Sequence, residues 1–256
     1  MKLSTLTALG VLLCSLSAAQ AAVNSKQRVA AFAKLPDWTG LWEADNKNAS
    51  AGTAQAPPGY ADVAMLKMAS KPPYNAEWEA KVQAAIKKGD APPNYKLCSF
   101  GYPAMMDGPG MFQVLAQPEE TIFLFHGDDV RHVYTDGRKH PGEDDLWPTP
   151  VGDSIGHWEG DTLVINTIAR KAGPLHLNKY YVISDKARFI ERIRMINKDT
   201  LEDQMIIEDP EAFAKPMFMT MYYKRVKDLD RVIYTDCSEN ERNPVIDGEL
   251  KIAPPR

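Results

Sequence analysis

From about Met111 onward the sequence is a succession of short runs in which apolar and polar residues alternate, and tight-turn signals separate the runs. Runs of this length at a spacing of about 8–12 residues are typical of an antiparallel β-sandwich or β-barrel. The turn Asn197-Lys198-Asp199 joins two alternating runs into a predicted hairpin. The predicted strands are Met111–Gln117, Thr121–His126, Val130–Asp136, Asp153–Trp158, Thr162–Thr167, Tyr180–Ser184, Phe189–Ile196, Thr200–Glu208, Met217–Lys224 and Arg231–Thr235.

A Gly-x-Trp tripeptide, Gly40-Leu41-Trp42, precedes these runs. In lipocalin-like barrels a tryptophan of this kind on the first strand closes one barrel end with its indole, so the tripeptide favours a barrel over a sandwich. Two amphipathic stretches, Ala61–Ala69 and Asn75–Lys88, follow proline-rich turns and are predicted to be helices. We therefore expect a mainly β chain that forms an antiparallel lipocalin-like β-barrel with two N-terminal helices. Residues 22–110 hold the first barrel strand and both helices, and residues 111–256 form the remainder of a single barrel domain.

Residues 1–21 have the layout of a secretory signal peptide. Lys2 supplies the basic start, residues 6–16 supply an apolar run, and Ala19-Gln20-Ala21 is a small-x-small cleavage site. The apolar run is too short to span a bilayer as a helix. We expect cleavage after Ala21 and a periplasmic mature protein.

Export leaves Cys98 and Cys237 in an oxidising compartment, where an even number of cysteines favours one disulfide. Such a bridge would join the start of the β-rich region to its end. Two unpaired buried thiols are the alternative. Neither cysteine has the close second cysteine that a zinc site requires.

Charge and composition narrow the class of partner. The chain has 30 Lys+Arg against 34 Asp+Glu, a net charge of −4, and it shows no basic stripe of the kind that nucleic-acid binders carry. Basic clusters that would recognise anionic lipid are absent from the sequence as well. With 44% hydrophobic residues, the composition is that of a globular protein. The expected partner is a hydrophobic or aromatic small molecule rather than a nucleic acid or a membrane.

Two long segments resemble a family of largely uncharacterised secreted proteobacterial proteins. They are Tyr134-Thr135-Asp136-Gly137-Arg138-Lys139-His140-Pro141 and Ser154-Ile155-Gly156-His157-Trp158-Glu159-Gly160-Asp161-Thr162-Leu163-Val164, which are similar to the family's YTDGRxHP and SIGxWEGDTLVV motifs. The resemblance spans roughly residues 36–245 and includes Cys98 before Gly101-Tyr102-Pro103 and Cys237 before Ser238-Glu239-Asn240. It implies a β-rich, lipocalin-like secreted fold. At Asn166, where the family is usually acidic, this chain departs from the pattern.

Ionisable residues are densest between Asp128 and His140. Strand alternation puts His132, Tyr134 and Asp136 on one face, and we predict that this face lines the barrel cavity. His132 is then the candidate general base and Tyr134 the candidate acid or oxyanion donor, with Asp136 as a third catalytic group. The alternatives are that the face points at water or that its groups satisfy one another, and that Asp136 only caps the following turn.

Four further residues are predicted to bind the ligand. Arg138 would lie at the cavity rim and orient an anionic group. His126 or His157 would lie opposite, although each has an alternative reading as a structural histidine. Phe125 belongs to the aromatic residues that, together with some of the eleven methionines, would line an adaptable apolar pocket.

The sequence contains no motif that is typical of metal, cofactor or nucleophilic chemistry. The histidines lack the spacings of familiar metal sites, so no metal is predicted. The chain has no Gly-x-Ser-x-Gly elbow, phosphate loop or dinucleotide fingerprint, and no cofactor is predicted. Three hypotheses remain: an enzyme of lyase or isomerase type that performs cofactor-free acid–base chemistry, a non-catalytic carrier of apolar small molecules, and an envelope interaction protein.

Overall fold

The computed structural model describes residues 26–45, 55–66, 70–90, 101–106, 111–126, 129–175 and 180–232, with backbone strands at 245–246 and 249–250. The predicted fold class is confirmed: the chain is mainly β, with a closed nine-stranded barrel and two helices. Helix α1 covers residues 26–32 and α2 covers Ala76–Lys88. The strands are β1 Gly40–Ala44, β2 Ala64–Met65, β3 Met111–Ala116, β4 Glu120–Phe125, β5 Val130–Tyr134, β6 Asp153–Glu159, β7 Thr162–Ile168, β8 Gly173–Pro174, β9 Val182–Ile183, β10 Arg188–Asn197, β11 Thr200–Glu208, β12 Met217–Arg225, β13 Val245–Ile246 and β14 Glu249–Leu250.

The barrel wall follows the order β1-β3-β4-β5-β6-β7-β10-β11-β12 and closes through pairing of β12 with β1. All neighbouring strands in this ring are antiparallel except β5 and β6, which pair in parallel through Val133–Ser154 and Tyr134–Ile155. The expectation of a wholly antiparallel barrel is therefore wrong at this one seam. Residues 135–152 carry the chain from the end of β5 back to the opposite end of the barrel, and β6 consequently starts in the same direction as β5.

One of the two predicted helices is present in the structure, and part of the other is a strand. Helix α2 begins after Asn75, whose side chain accepts a hydrogen bond from the Trp78 backbone, and ends at Gly89 in the left-handed conformation. The predicted helix Ala61–Ala69 is not formed at residues 64–65, which are strand β2. There the Ala64 backbone donates to Pro216 O at 2.8 Å, so pairing with β12 outweighs the helical periodicity. Residues 67–69 lie outside the described residues.

Two other predicted strands also differ from the structure. The run Tyr180–Ser184 shortens to β9, which pairs with β8 in a separate two-stranded sheet rather than in the barrel wall. Residues 231–232 are not in a strand, and residues 233–235 lie outside the described residues. Cys98 and Cys237 lie outside them too, so the disulfide stays a prediction.

One end of the barrel, here called the Trp42 end, is formed by Trp42, Arg225 and the turn between β10 and β11. Trp42 is fully buried, and its Nε1 donates to Trp38 O at 3.0 Å. The Arg225 guanidinium lies over the Trp42 ring, 4.3 Å from its centroid, and its Nη1 donates to Thr39 O at 2.6 Å. These contacts attach the chain segment before β1 to the end of β12.

The opposite end, here called the Tyr102 end, is covered by residues 101–106, all of which are buried. The Tyr102 ring packs edge-on against Phe189 with ring centroids 5.0 Å apart. Buried Arg170 holds this segment, since its Nε donates to Tyr102 O at 2.7 Å and its Nη2 to Pro174 O at 2.8 Å. Gly101 has a φ of +73°, and a Cβ there would lie 2.7 Å from Arg170 Nη2, so glycine permits this close approach.

Candidate functional site

The predicted catalytic face of β5 lies outside the barrel. Arg131 and Val133 are fully buried and face the interior, whereas the His132 side chain is 44% exposed. The expectation that His132, Tyr134 and Asp136 line the cavity is therefore wrong in its orientation. Alternation correctly groups residues of one face, but it does not say which face is inside when both carry charged residues.

On the outside, four predicted residues do lie together; we call His132, Tyr134, Asp136 and Arg138 the outer cluster. The His132 and Tyr134 rings are stacked with centroids 6.0 Å apart, and the Arg138 guanidinium lies 4.0 Å from the Tyr134 centroid. Arg138 Nε donates to Asp136 Oδ2 at 2.9 Å, and this hydrogen bond lowers the pKa of Asp136. His132 Nδ1 lies 3.1 Å from Glu120 Oε2.

The remaining predicted ligand-binding residues are dispersed. Phe125 is buried in the barrel core, 5.8 Å from the Phe112 ring. His126 follows β4 in a turn, where its backbone donates to Met111 O at 3.2 Å. His157 lies on the outer face of β6, its side chain 64% exposed, with Nε2 3.1 Å from Glu159 Oε1. The structure therefore does not bring these three residues together with the outer cluster in one cavity.

A second set of polar residues, which the sequence did not predict as a set, lies on the outer face. Its members form a chain of hydrogen bonds that we call the outer chain: His140, Asp153, Asn166 and Arg188. His140 Nδ1 donates to Asp153 Oδ1 at 2.5 Å, when the histidine is in the tautomer with a proton on Nδ1. With the Asn166 amide oriented to satisfy both neighbours, its nitrogen donates to His140 Nε2 at 3.2 Å and its oxygen accepts from Arg188 Nε at 2.9 Å. The carboxylate orients the imidazole, an arrangement suited to proton transfer.

The barrel interior holds a buried ion pair that sequence reasoning missed. Arg131 donates to both carboxylate oxygens of Glu191, at 3.1 Å through Nη1 and at a shorter distance through Nη2. Its Nε donates to Ser154 Oγ at 3.1 Å and its Nη2 to Thr167 Oγ1 at 2.8 Å. Burial alone would lower the pKa of Arg131. The charge and the hydrogen bond of Glu191, together with Tyr102 and Asp203, outweigh burial, and the pKa is raised. Arg131 is therefore charged, and its guanidinium makes four side-chain hydrogen bonds.

Asp203 on β11 is the other buried acid of the interior. Its side chain is fully buried, and neither carboxyl oxygen has a hydrogen-bond partner in the part of the chain that the structure describes. Burial, together with the nearby Glu191 charge, holds the pKa of Asp203 well above its usual range. These surroundings favour the protonated form of Asp203, which has one O–H to donate and an oxygen that can accept.

A hollow of about 540 Å³ lies at the Trp42 end of the barrel. Its lining combines apolar and charged side chains: Pro36, Asp37, Met195, Asn197, Lys198 and Arg225. Met195 is an inner-face residue of β10 and packs against the hydrophobic core. The hollow therefore adjoins the barrel interior through Met195.

Across the described ranges, no three His, Cys, Asp or Glu side chains are grouped as a metal site requires. No helix within those ranges has the length and apolar character needed to cross a bilayer.

The protein is a β-barrel that is lipocalin-like in the broad sense. No protein-family model, curated protein or solved structure matches the chain. The function is therefore inferred from the residues of this chain.

Proposed function

We propose that this protein binds an apolar or aromatic small molecule at the Trp42 end of its barrel. The observation that carries the proposal is the hollow beside Arg225, because its volume of about 540 Å³ is within the usual range of ligand pockets, about 300–1,000 Å³. The lining has two apolar residues, Met195 and Pro36, and four polar or charged ones, and polar groups of this kind fix the orientation of a ligand. Methionine adapts its shape to irregular apolar ligands.

Arg225 gives the hollow a rigid wall. Its Nε donates to Lys198 O at 3.1 Å, its Nη2 to Asp37 O at 3.0 Å and its Nη1 to Thr39 O. These bonds hold three chain segments around the opening. A preformed opening of this kind favours binding because less conformational entropy is lost when the ligand enters.

The test uses the neutral fluorescent probe N-phenyl-1-naphthylamine, whose emission rises in an apolar site. We expect the wild-type protein to bind it, and Met195→Trp to weaken binding at least tenfold because the larger side chain fills the hollow. Met65→Trp is the matched control, since Met65 is 42% exposed and lies on β2 away from the hollow. Equal binding by the Met195 variant, or no binding by the wild type, would contradict the proposal.

Acid–base catalysis on the outer face is a second candidate function, supported by the His140–Asp153 contact of 2.5 Å. A histidine oriented by a carboxylate is a common general base in reactions that need no cofactor, such as eliminations and isomerisations. Here the His140 Nε2 accepts from Asn166, so a substrate has to replace that amide before Nε2 can take a proton. The outer cluster lies on the same face, because Tyr134 on β5 pairs with Ile155, two residues after Asp153 on β6. Tyr134 and Arg138 are then available to orient a substrate.

Proton exchange at carbon provides an assay that does not require the natural substrate. The wild-type protein is incubated in D₂O with a set of aryl ketones, and deuterium incorporation next to the carbonyl is followed by NMR. His140→Ala is expected to slow exchange by about 10²–10⁴-fold, the usual contribution of a general base. His157→Ala serves as the control because His157 is exposed on β6. If both variants exchange as fast as the wild type, the outer chain is not catalytic.

We also propose export through the signal peptide at residues 1–21 and a disulfide between Cys98 and Cys237. The support is the sequence pattern alone. Mass spectrometry of the periplasmic fraction should find a chain that begins at Ala22 and a peptide pair linked through the two cysteines. An unprocessed N-terminus argues against export, and two free thiols in non-reduced protein argue against the bridge.

A further inference from the structure

Several buried polar atoms in the half of the barrel nearest Trp42 have no hydrogen-bond partner among the residues that the structure describes. They are the two carboxyl oxygens of Asp203, the indole Nε1 atoms of Trp38 and Trp158, and the hydroxyl of Thr121. Asp203 and Thr121 are fully buried and Trp38 is 1% exposed. Leaving such a group unsatisfied costs about 1–3 kcal/mol, so each needs a partner that the described side chains do not supply.

Strand register places the Asp203 carboxyl one row of inward-facing residues below the hollow. On the inner face of β10 and β11, Met195 pairs with Leu201 and the next inward pair is Ile193 with Asp203. Asp203 is therefore a diagonal neighbour of Met195, at the distance of about 7–8 Å that such neighbours keep. A ligand that passes Met195 reaches the Asp203 carboxyl next.

The two tryptophans lie in the same layer. Trp158 on β6 pairs with Leu163 on β7, and Leu163 pairs in turn with Ile193, the partner of Asp203. The Trp38 ring meets the Trp158 ring edge-on, with centroids 5.0 Å apart. Trp38 also follows Asp37, which lines the hollow. One layer thus holds two indole N–H donors and a carboxyl group between apolar walls.

The chemistry of this layer selects a particular ligand. Both indoles can only donate, and a protonated Asp203 donates as well, so the layer offers donors to an acceptor atom. An anion is disfavoured, because an ion would lose its hydration in this interior and the positive charge of Arg131 is already paired with Glu191. The walls contributed by Leu163 and Ile193 are apolar and fully buried.

We infer that the ligand is an uncharged aromatic carbonyl compound whose carbonyl oxygen accepts hydrogen bonds from Trp158, Trp38 or Asp203 in the layer below the hollow. This inference rests on the proposed binding site at the Trp42 end. It adds the class of ligand and names the residues that select it.

The test compares three naphthalenes of similar size by their displacement of N-phenyl-1-naphthylamine: naphthalene, 2-acetonaphthone and 2-naphthoate. We expect the wild-type protein to bind the ketone about tenfold more tightly than naphthalene and to bind the carboxylate most weakly. Trp158→Phe retains an aromatic ring but lacks the N–H, so it should weaken ketone binding far more than naphthalene binding and remove most of the preference for the ketone. Trp147→Phe is the control, since Trp147 is 70% exposed.

Asp203→Ile provides a second variant without donor or acceptor, and it should also reduce the preference for the ketone. Equal affinity for the ketone and naphthalene in the wild type would overturn the inference, because internal water would then satisfy the buried polar atoms. The proposed binding site itself would still stand. An equal loss of both ligands in Trp158→Phe would overturn it as well. If the probe does not bind to the wild type, the proposed function fails together with the inference.

Discussion

Arg131 and His140 lie on opposite faces of the same part of the barrel wall, and both contact residues of β6 and β7. Inside, Arg131 donates to Ser154 on β6, Thr167 on β7 and Glu191 on β10. Outside, His140 contacts Asp153 on β6 and Asn166 on β7, the residues directly before Ser154 and Thr167, and Asn166 reaches Arg188 on β10. The seam between β5 and β6 has only two residue pairs among the described strands, so these side chains supplement a short backbone ladder.

Replacing one partner of the Arg131–Glu191 pair should destabilise the protein more than replacing both. We expect Arg131→Met alone, or Glu191→Met alone, to lower the free energy of unfolding by about 3–5 kcal/mol, because each leaves an unpaired buried charge. The double variant should be clearly more stable than the sum of the two losses implies. Chemical denaturation of the four proteins measures this coupling. Additive losses would show that the two charges do not stabilise each other.

Asp203 should make stability depend on pH. Because burial raises its folded-state pKa above the ordinary 3.8, the folded chain retains a proton that the unfolded chain releases. The contribution is complete below the unfolded pKa and is lost as pH rises through the folded pKa, by up to about 1.4 kcal/mol per pH unit. Asp203→Asn carries no titrating proton, so its stability relative to wild type should rise between pH 4 and pH 7. Denaturation at several pH values tests this.

The matched control for that pH series is Asp144→Asn, because Asp144 is exposed in the loop before β6. It should change stability little, and equally at every pH. A stability difference for Asp203→Asn that stays constant with pH would mean that Asp203 is ionised in the folded protein.

Trp42→Ala should destabilise the protein by about 3–5 kcal/mol, the usual loss for a buried large aromatic residue. Trp42 is fully buried, donates to Trp38 O and lies under Arg225. Trp147→Ala, at a 70% exposed position, should cost no more than about 0.5 kcal/mol. Thermal and chemical unfolding of the two variants provides the comparison. A loss below about 1 kcal/mol for Trp42→Ala would mean that its indole does not close the barrel.

Gly152 and Gly137 provide a test of backbone packing at the ends of the loop between β5 and β6. Both have positive φ, +73° and +87°, so alanine adds the strain of about 1–2 kcal/mol in either place. At Gly152 a Cβ would also lie 2.6 Å from Ile168 O, whereas nothing lies within 4 Å at Gly137. Gly152→Ala should therefore be the more destabilising variant by about 1–3 kcal/mol. Equal losses of stability in the two variants would show that the backbone around Gly152 shifts to accommodate the added Cβ.

Local regularities of the sequence determined the elements of this protein. Strand β11 occupies Thr200–Glu208 as predicted from its alternation, and α2 covers Ala76–Lys88 where the sequence predicted Asn75–Lys88. Such features depend on residues a few positions apart, so a single chain segment contains the information. The Gly-x-Trp tripeptide also indicated a barrel with a buried Trp42.

Only the tertiary structure decided which face of β5 is inside. Both faces carry charged or polar residues, so alternation alone could not choose between the face of His132 and the face of Arg131. Arg131 faces inward because Glu191, sixty residues away, neutralises its charge inside the barrel. His140 likewise finds Asp153 and Asn166 on strands that follow it by 13 and 26 residues. Burial of a charge depends on partners brought close by the closed barrel, and strand periodicity contains no information about those partners.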